Sequence, residues 1–203
     1  KVCASGMKSI MQAAQSIALG ENSIVVAGGM ENMSLIPHYA YLRSETKFGP
    51  ATLLDGMQKD GLVDAYDQNA MGVCADACAT KYEFSREDQD AFAYRSQMEA
   101  ATAQREGRLS EEIVGLSIPR RKQDPVLFDQ DEFVKPNTTQ EVLSNLRPAF
   151  RKEGGSVTAG NASGLNDGAA ALLLANELGM KEQGLEPLAQ IRASAVVGVP
   201  PRI

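Results

Sequence analysis

The chain has 203 residues, 43% hydrophobic and 23% charged, a balance that suits a globular protein with one sizeable core. A net charge of −6 argues against nucleic acid or an anionic membrane surface as general partners, and 5% aromatics with no Trp leaves no platform for stacking bases. Three cysteines, an odd number, do not form a disulfide framework and suit a reducing, cytoplasmic setting.

From Cys3 to Leu19, the residues Met7, Ile10, Met11, Ala14, Ile17 and Ala18 recur at helical spacing, with Gly20 as a stop. "SIVVAGG" (23–29) reads as a buried strand with a sharp exit. Residues 30–67 are rich in Met, Gly, Pro and Tyr without a long period, and read as loop with a short helix near 51–58. "AMGVCADACATKY" predicts a helix with Met71, Cys74, Ala75 and Cys78 on one face. A longer helix opens at Ser85, with Asp88 completing a capping pattern, and stops at Gly107. Two short strands flank the basic turn "RRKQD", and a short helix, "TQEVLSNL", leads to "RPAF". Ala169 to Leu174 reads as an apolar strand, "NELGMKEQG" as a helix and "LAQIRASAVVG" as a last strand. No run of about 18 apolar residues occurs, so no membrane span is predicted.

Several residues carry possible chemistry. Cys3 stands at or just before a helix N-terminus, where unpaired N–H groups and the macrodipole stabilise a thiolate. It is either a nucleophile or a small apolar packing residue. Cys74 and Cys78, four apart, lack the further ligands of a metal site and read as packing residues. His38, the only histidine, has nothing near it in sequence to orient it and reads as a surface residue. "SVTAGNASGLNDGAA" either lets an extended ligand lie against its backbone, with Asn161 and Ser163 offering hydrogen bonds, or is a tight connection. Arg120, Arg121 and Lys122 read as a solvated hairpin tip, with a phosphate contact as the alternative. No P-loop or dinucleotide fingerprint is present.

"VCASGMKSI", "SIVVAGGMENMS", "SREDQDAFAYRSQ" and "VTAGNASGLNDGAAALLL", in that order, closely resemble the thiolase family, in particular its acetyl-CoA C-acetyltransferases. The resemblance implies a partial layered α/β core with a large inserted loop domain that binds coenzyme A. It implies core at 1–32, loop domain at 33–165, a return to the core at 166–186 and the start of a second core at 187–203. Cys3 is then the acyl-carrying nucleophile, and its backbone N–H helps hold the oxyanion. Ser163, Ala159 and Gly160 line a pantetheine channel, with Leu62, Met71, Ala149, Phe150 and Leu165 as further contacts. The implied substrates are acetyl-CoA and other acyl-CoA thioesters, joined by Claisen condensation or split by thiolysis, as in fatty acid metabolism. No cofactor beyond the coenzyme A of the substrate is implied, nor any metal, nucleic acid or membrane. A homodimer or homotetramer is implied, residues 34–49 matching a segment that packs between dimers.

Two departures from the family stand out. Ala70 replaces a histidine found in many members, and the family's "G-H-P", "N-E-A-F" and "C-x-G" motifs do not occur. The chain also opens on Lys1 rather than Met. It is therefore expected to be a segment of a longer protein, inactive alone, with exposed sheet edges that favour aggregation. Any targeting sequence would lie outside it. A noncatalytic coenzyme A-binding or assembly fragment is the alternative reading, and a ketoacyl synthase-type condensing enzyme a weaker third.

Overall fold

A computed structural model describes residues 1–43 and 47–201. They form two packing units, Lys1–Tyr66 with Leu165–Pro200, and Asp67–Gly164 with Pro201.

In the first unit a short 3-10 turn, Val2–Ala4, leads into helix α1, Ser5–Ala18. Gly20, at φ +76°, ends it as the sequence predicts, because only glycine adopts that backbone without strain. Strand β1, Ile24–Asn32, runs three residues beyond its predicted end. It pairs antiparallel with β6, Asp167–Ala175, from Ile24 opposite Ala175 to Asn32 opposite Asp167. Helix α1 lies close on β1, and a Cβ on Gly29 would stand 2.9 Å from Gly6 Cα. The Ser9 hydroxyl lies 2.7 Å from both the Gly6 and Gly28 carbonyl oxygens and ties the first turn of α1 to the strand. Helix α5, Glu177–Gln183, is capped by Asn176 and ends at the left-handed Gly184.

The described residues of 33–66 pack with this first unit, whereas the expected insertion starts at residue 33. The Ser34 N–H donates to Asp167 Oδ1 at 2.9 Å and ties the beginning of this stretch to the first residue of β6. That bond also holds the Asp167 carboxyl below its ordinary range. The helix expected at 51–58 is displaced. Two-residue strands β2, His38–Tyr39, and β3, Leu54–Asp55, pair there, and a π-helical turn follows at Gln58–Leu62. Of the segment 34–49 matched to dimer packing, residues 44–46 lie outside the described residues.

The second unit begins with α2, Met71–Lys81, and α3, Arg86–Arg105. Ser85 and Asp88 form the reciprocal capping box that their spacing predicts, and Gly107 closes the helix at φ +71°. Hairpin β4–β5, Leu116–Arg120 with Gln123–Phe128, turns on Arg121 and Lys122, so the basic residues do sit at a tip. Helix α4, Gln140–Ser144, capped by Thr139, packs on α3 and buries Leu143.

Two expectations fail. The buried face of α2 is Gly72, Asp76 and Ala79, whereas Met71 is 56% exposed. The last predicted strand does not form, and 187–200 is without regular structure. Leu188, Val196, Val197 and Val199 stand exposed there, because a strand exists only where a neighbour takes its hydrogen bonds. Among the described residues, no helix is long and apolar enough to cross a membrane.

Candidate active site

Cys3 lies in the 3-10 turn immediately before α1 and is exposed, so it is not a buried packing residue. The Ala4 N–H donates to the Lys1 carbonyl at 3.1 Å and closes the turn. Val2, just before the cysteine, holds φ +51°. A β-branched residue in the left-handed region is strained, and such strain gathers at functional sites. Composition and spacing give no sign of it.

Cys3 opens on a hollow of about 980 Å³ within the first unit. Met7 and Ile10 of α1, Met30 and Met33, and Leu172 of β6 supply an apolar lining. Gly6 and Gly29, both in its lining, let helix α1 and strand β1 approach closely, and Gly28 lies hard against Ala170 and Ala171 of β6. The π-helical turn contributes Asp60, Gly61 and Leu62 to the wall. Of the predicted site residues, Leu62 therefore shares this hollow with Cys3. Asp60 Oδ2 accepts a 2.5 Å hydrogen bond from the Tyr39 hydroxyl, which pushes the phenol up to about 12. His38 is exposed on β2 and does not line the hollow. Leu165, at the start of the return segment, is 62% exposed.

The second unit gathers Met71, Ala149, Phe150, Ala159, Gly160 and Ser163. The Phe150 ring lies on Gly72, where any Cβ would collide with it. The Ala149 N–H donates to the Val157 carbonyl at 2.9 Å and joins the "RPAF" segment to the small-residue loop. Gly160 sits against α4, where a Cβ would come within 2.5 Å of both Leu143 Cδ2 and Leu146 Cδ1. Ala159 and Ser163 face outward.

Asn161 does not offer its amide to a ligand, as its loop position suggested. Its Oδ1 accepts from the Thr158 N–H at 2.7 Å, and its Nδ2 donates to Asp90 Oδ1 and to the Ser156 carbonyl. The residues that hold this loop, Asp76, Asp90 and Gln89, escaped the sequence reading. The available signal was an acid among small residues in "CADACA", four positions after Gly72. Cys74 and Cys78 are half-buried on α2. Among the described residues, no group of three or more His, Cys, Asp or Glu is placed to hold a metal.

A layered α/β unit with an exposed cysteine at the start of a glycine-seated helix is the setting of a thiol nucleophile. The chain belongs to the thiolase family: the family's N-terminal domain matches residues 1–178. It is 49% identical, over its whole length, to an acetyl-CoA acetyltransferase of Chromobacterium violaceum, of which it covers 52%. It is 50% identical to a probable acetyl-CoA acyltransferase of Staphylococcus aureus, again covering 52%. The crystal structure of the Bacillus anthracis acetyl-CoA acetyltransferase superposes with a TM-score of 0.91 at 42% identity, over 98% of this chain and 50% of that one. The chain thus spans about half the length of the curated relatives it matches.

Proposed function

We propose that the complete polypeptide containing this chain is an acyl-CoA acyltransferase in which Cys3 carries the acyl group. The Cys3 thiolate attacks the carbonyl carbon of an acyl-CoA, a new C–S bond forms, and the old one breaks to release coenzyme A as its thiolate, which is balanced to the thiol by the proton that the second substrate gives up. The methyl carbon of a second acetyl-CoA, having lost a proton, then attacks the Cys3 thioester. A C–C bond forms, the Cys3 sulfur leaves as thiolate, and the product is a 3-ketoacyl-CoA. Run backward, coenzyme A cleaves that product. Sulfur serves both directions because it is a strong nucleophile and a good leaving group. The backbone N–H of Cys3 is assigned to the oxyanion of each tetrahedral intermediate. No cofactor enters beyond the coenzyme A of the substrates, and the working form is a homodimer or homotetramer.

The observation that carries this reading is Cys3 itself, exposed at the helix start and opening on an apolar hollow. Family membership and relatives called acetyl-CoA acetyltransferases support it. Ala159, Gly160, Ser163 and Phe150 are assigned to the pantetheine arm, with Met71, Ala149, Leu62 and Leu165 in supporting contact. The chain alone is expected to lack turnover, since the "G-H-P" and "C-x-G" motifs that carry the family's base and second cysteine do not occur in it and His38 does not line the hollow.

The test is acetyl-CoA treatment of the complete polypeptide, followed by peptide mass mapping. One acetyl group is expected on Cys3 and none on Cys74 or Cys78. Cys3→Ala is expected to lower transfer by about 10⁴-fold or more. Full transfer by Cys3→Ala, or acetylation of another cysteine in its place, sinks the proposal.

A further inference from the structure

Helix α2 turns Gly72 and Asp76 inward, one turn apart, beneath the segment that carries Phe150 and the 156–163 loop. Asp76 is 1% exposed, so its carboxylate does not meet a ligand from solvent. Its Oδ1 accepts from two consecutive backbone N–H groups, Ser156 at 2.8 Å and Val157 at 3.1 Å, with the Ser156 hydroxyl at 3.4 Å. Charge-assisted bonds of this kind are roughly twice as strong as neutral ones. The inward turning continues along the loop. Thr158, 0% exposed, accepts from the Gly160 and Asn161 N–H groups through its hydroxyl, at 3.2 and 3.3 Å. Gln89 Nε2 donates to the Ser156 hydroxyl at 3.0 Å. Polar groups from 156 to 161 are thus spent on the interior, while Ala159 and Ser163 remain outward.

We propose that Asp76 is a positioning residue. By anchoring the Ser156 and Val157 amides, it holds the 156–163 loop in the shape that receives the extended pantetheine arm of an acyl-CoA. The proposal rests on the acyl-CoA reading above. A loop ordered before binding loses less entropy when the ligand arrives, so this anchor acts on affinity without touching the ligand. Both backbone bonds meet at one oxygen, so an amide oxygen in the same place keeps the two of them in weaker, neutral form, whereas a methyl group keeps neither.

The test is hydrogen exchange by mass spectrometry on the complete polypeptide, with Asp76→Ala and Asp76→Asn, alongside calorimetric coenzyme A binding. In Asp76→Ala, amides of 156–163 are expected to exchange about tenfold faster or more, while those of 92–105 in α3 stay within about twofold. Coenzyme A affinity is expected to fall about tenfold in Asp76→Ala and to return to within about threefold in Asp76→Asn. Equal acceleration in α3, an unchanged loop, or an Asp76→Asn no better than Asp76→Ala each overturns the positioning role. If coenzyme A does not slow exchange at 156–163 in the unaltered protein, it is the acyl-CoA reading of this loop that fails. The variants' exchange rates then decide by themselves whether Asp76 holds the loop.

Discussion

Among the described residues, the unit built on α1, β1 and β6 buries two apolar residues, the alanines Ala13 and Ala27; the unit of α2, α3 and α4 buries Asp76, Asp90 and Thr158 beside Ala79, Leu143 and Val157. The first relies on close backbone approach, glycine against glycine, and on the β1–β6 ladder. It leaves Val26, Met30, Leu172 and Leu173 more than half exposed, an aggregation liability for the chain in isolation. The second satisfies most of its buried polar groups internally. Cys3 thus sits where fit depends on the absence of side chains, and the small-residue loop where shape depends on particular polar partners. Glycines in close backbone contact, such as Gly29, tolerate no addition, and buried polar partners tolerate no removal.

That contrast can be broken most sharply at Arg86. Its Nε donates to Asp90 Oδ2 at 2.7 Å, and Nη2 donates to the Leu143 and Leu146 carbonyls at 2.7 and 2.9 Å. Asp90 is 5% exposed, so Arg86→Met leaves a buried carboxylate without its cation. The expected cost is about 3–5 kcal/mol, read from urea unfolding. A cost below about 1 kcal/mol, typical of a surface ion pair, would mean the polar interior is not what holds this unit.

Gly29→Ala tests the other unit. The new Cβ meets Gly6 backbone at 2.9 Å and must push α1 from β1. A loss of about 1–3 kcal/mol is expected, with altered alkylation of Cys3 because the cysteine rides on that helix. Gly61→Ala is the control: nothing lies within 4 Å of its Cβ, and the change is expected to stay within about 0.5 kcal/mol. Equal effects at the two glycines would remove close approach as the organising feature.

The smallest expected effect is the pH response of the Tyr39–Asp60 pair, a polar contact in the first unit. The Asp60 carboxylate accepts the phenol's hydrogen bond and opposes a second negative charge, raising Tyr39 from 10.0 to about 12. A folded value above the unfolded one means the contribution is whole below about pH 10 and is lost as pH rises through about 12. Ultraviolet titration of the phenolate reads it directly, and Asp60→Asn is expected to bring ionisation down toward 10.0. An unchanged Tyr39 titration in that variant would mean Asp60 is not the cause.

Much was legible where chemistry is local. Ser85 with Asp88, and Gly20 and Gly107 at positive φ, mark helix ends through bonds and backbone angles spanning a few residues. The family motifs placed Cys3 at the helix start for the same reason. Residues 187–200 misled because apolar, β-branched composition records a preference for pairing without naming a partner. Asn161 misled because its outward or inward turn depends on Asp90, 71 positions away.

Sequence by itself determined the Ser85–Asp88 capping box, the helix stops at Gly20 and Gly107, the position of the cysteine and the family. Each follows from neighbours along the chain or from motif order. Only the tertiary structure decided that the described residues of 33–66 pack with the cysteine's unit, that Val2 holds a left-handed backbone, and that Asp76 is buried to anchor a loop 80 positions on. Burial of a carboxylate is favourable only when distant N–H groups converge on it, and no window of sequence records that convergence.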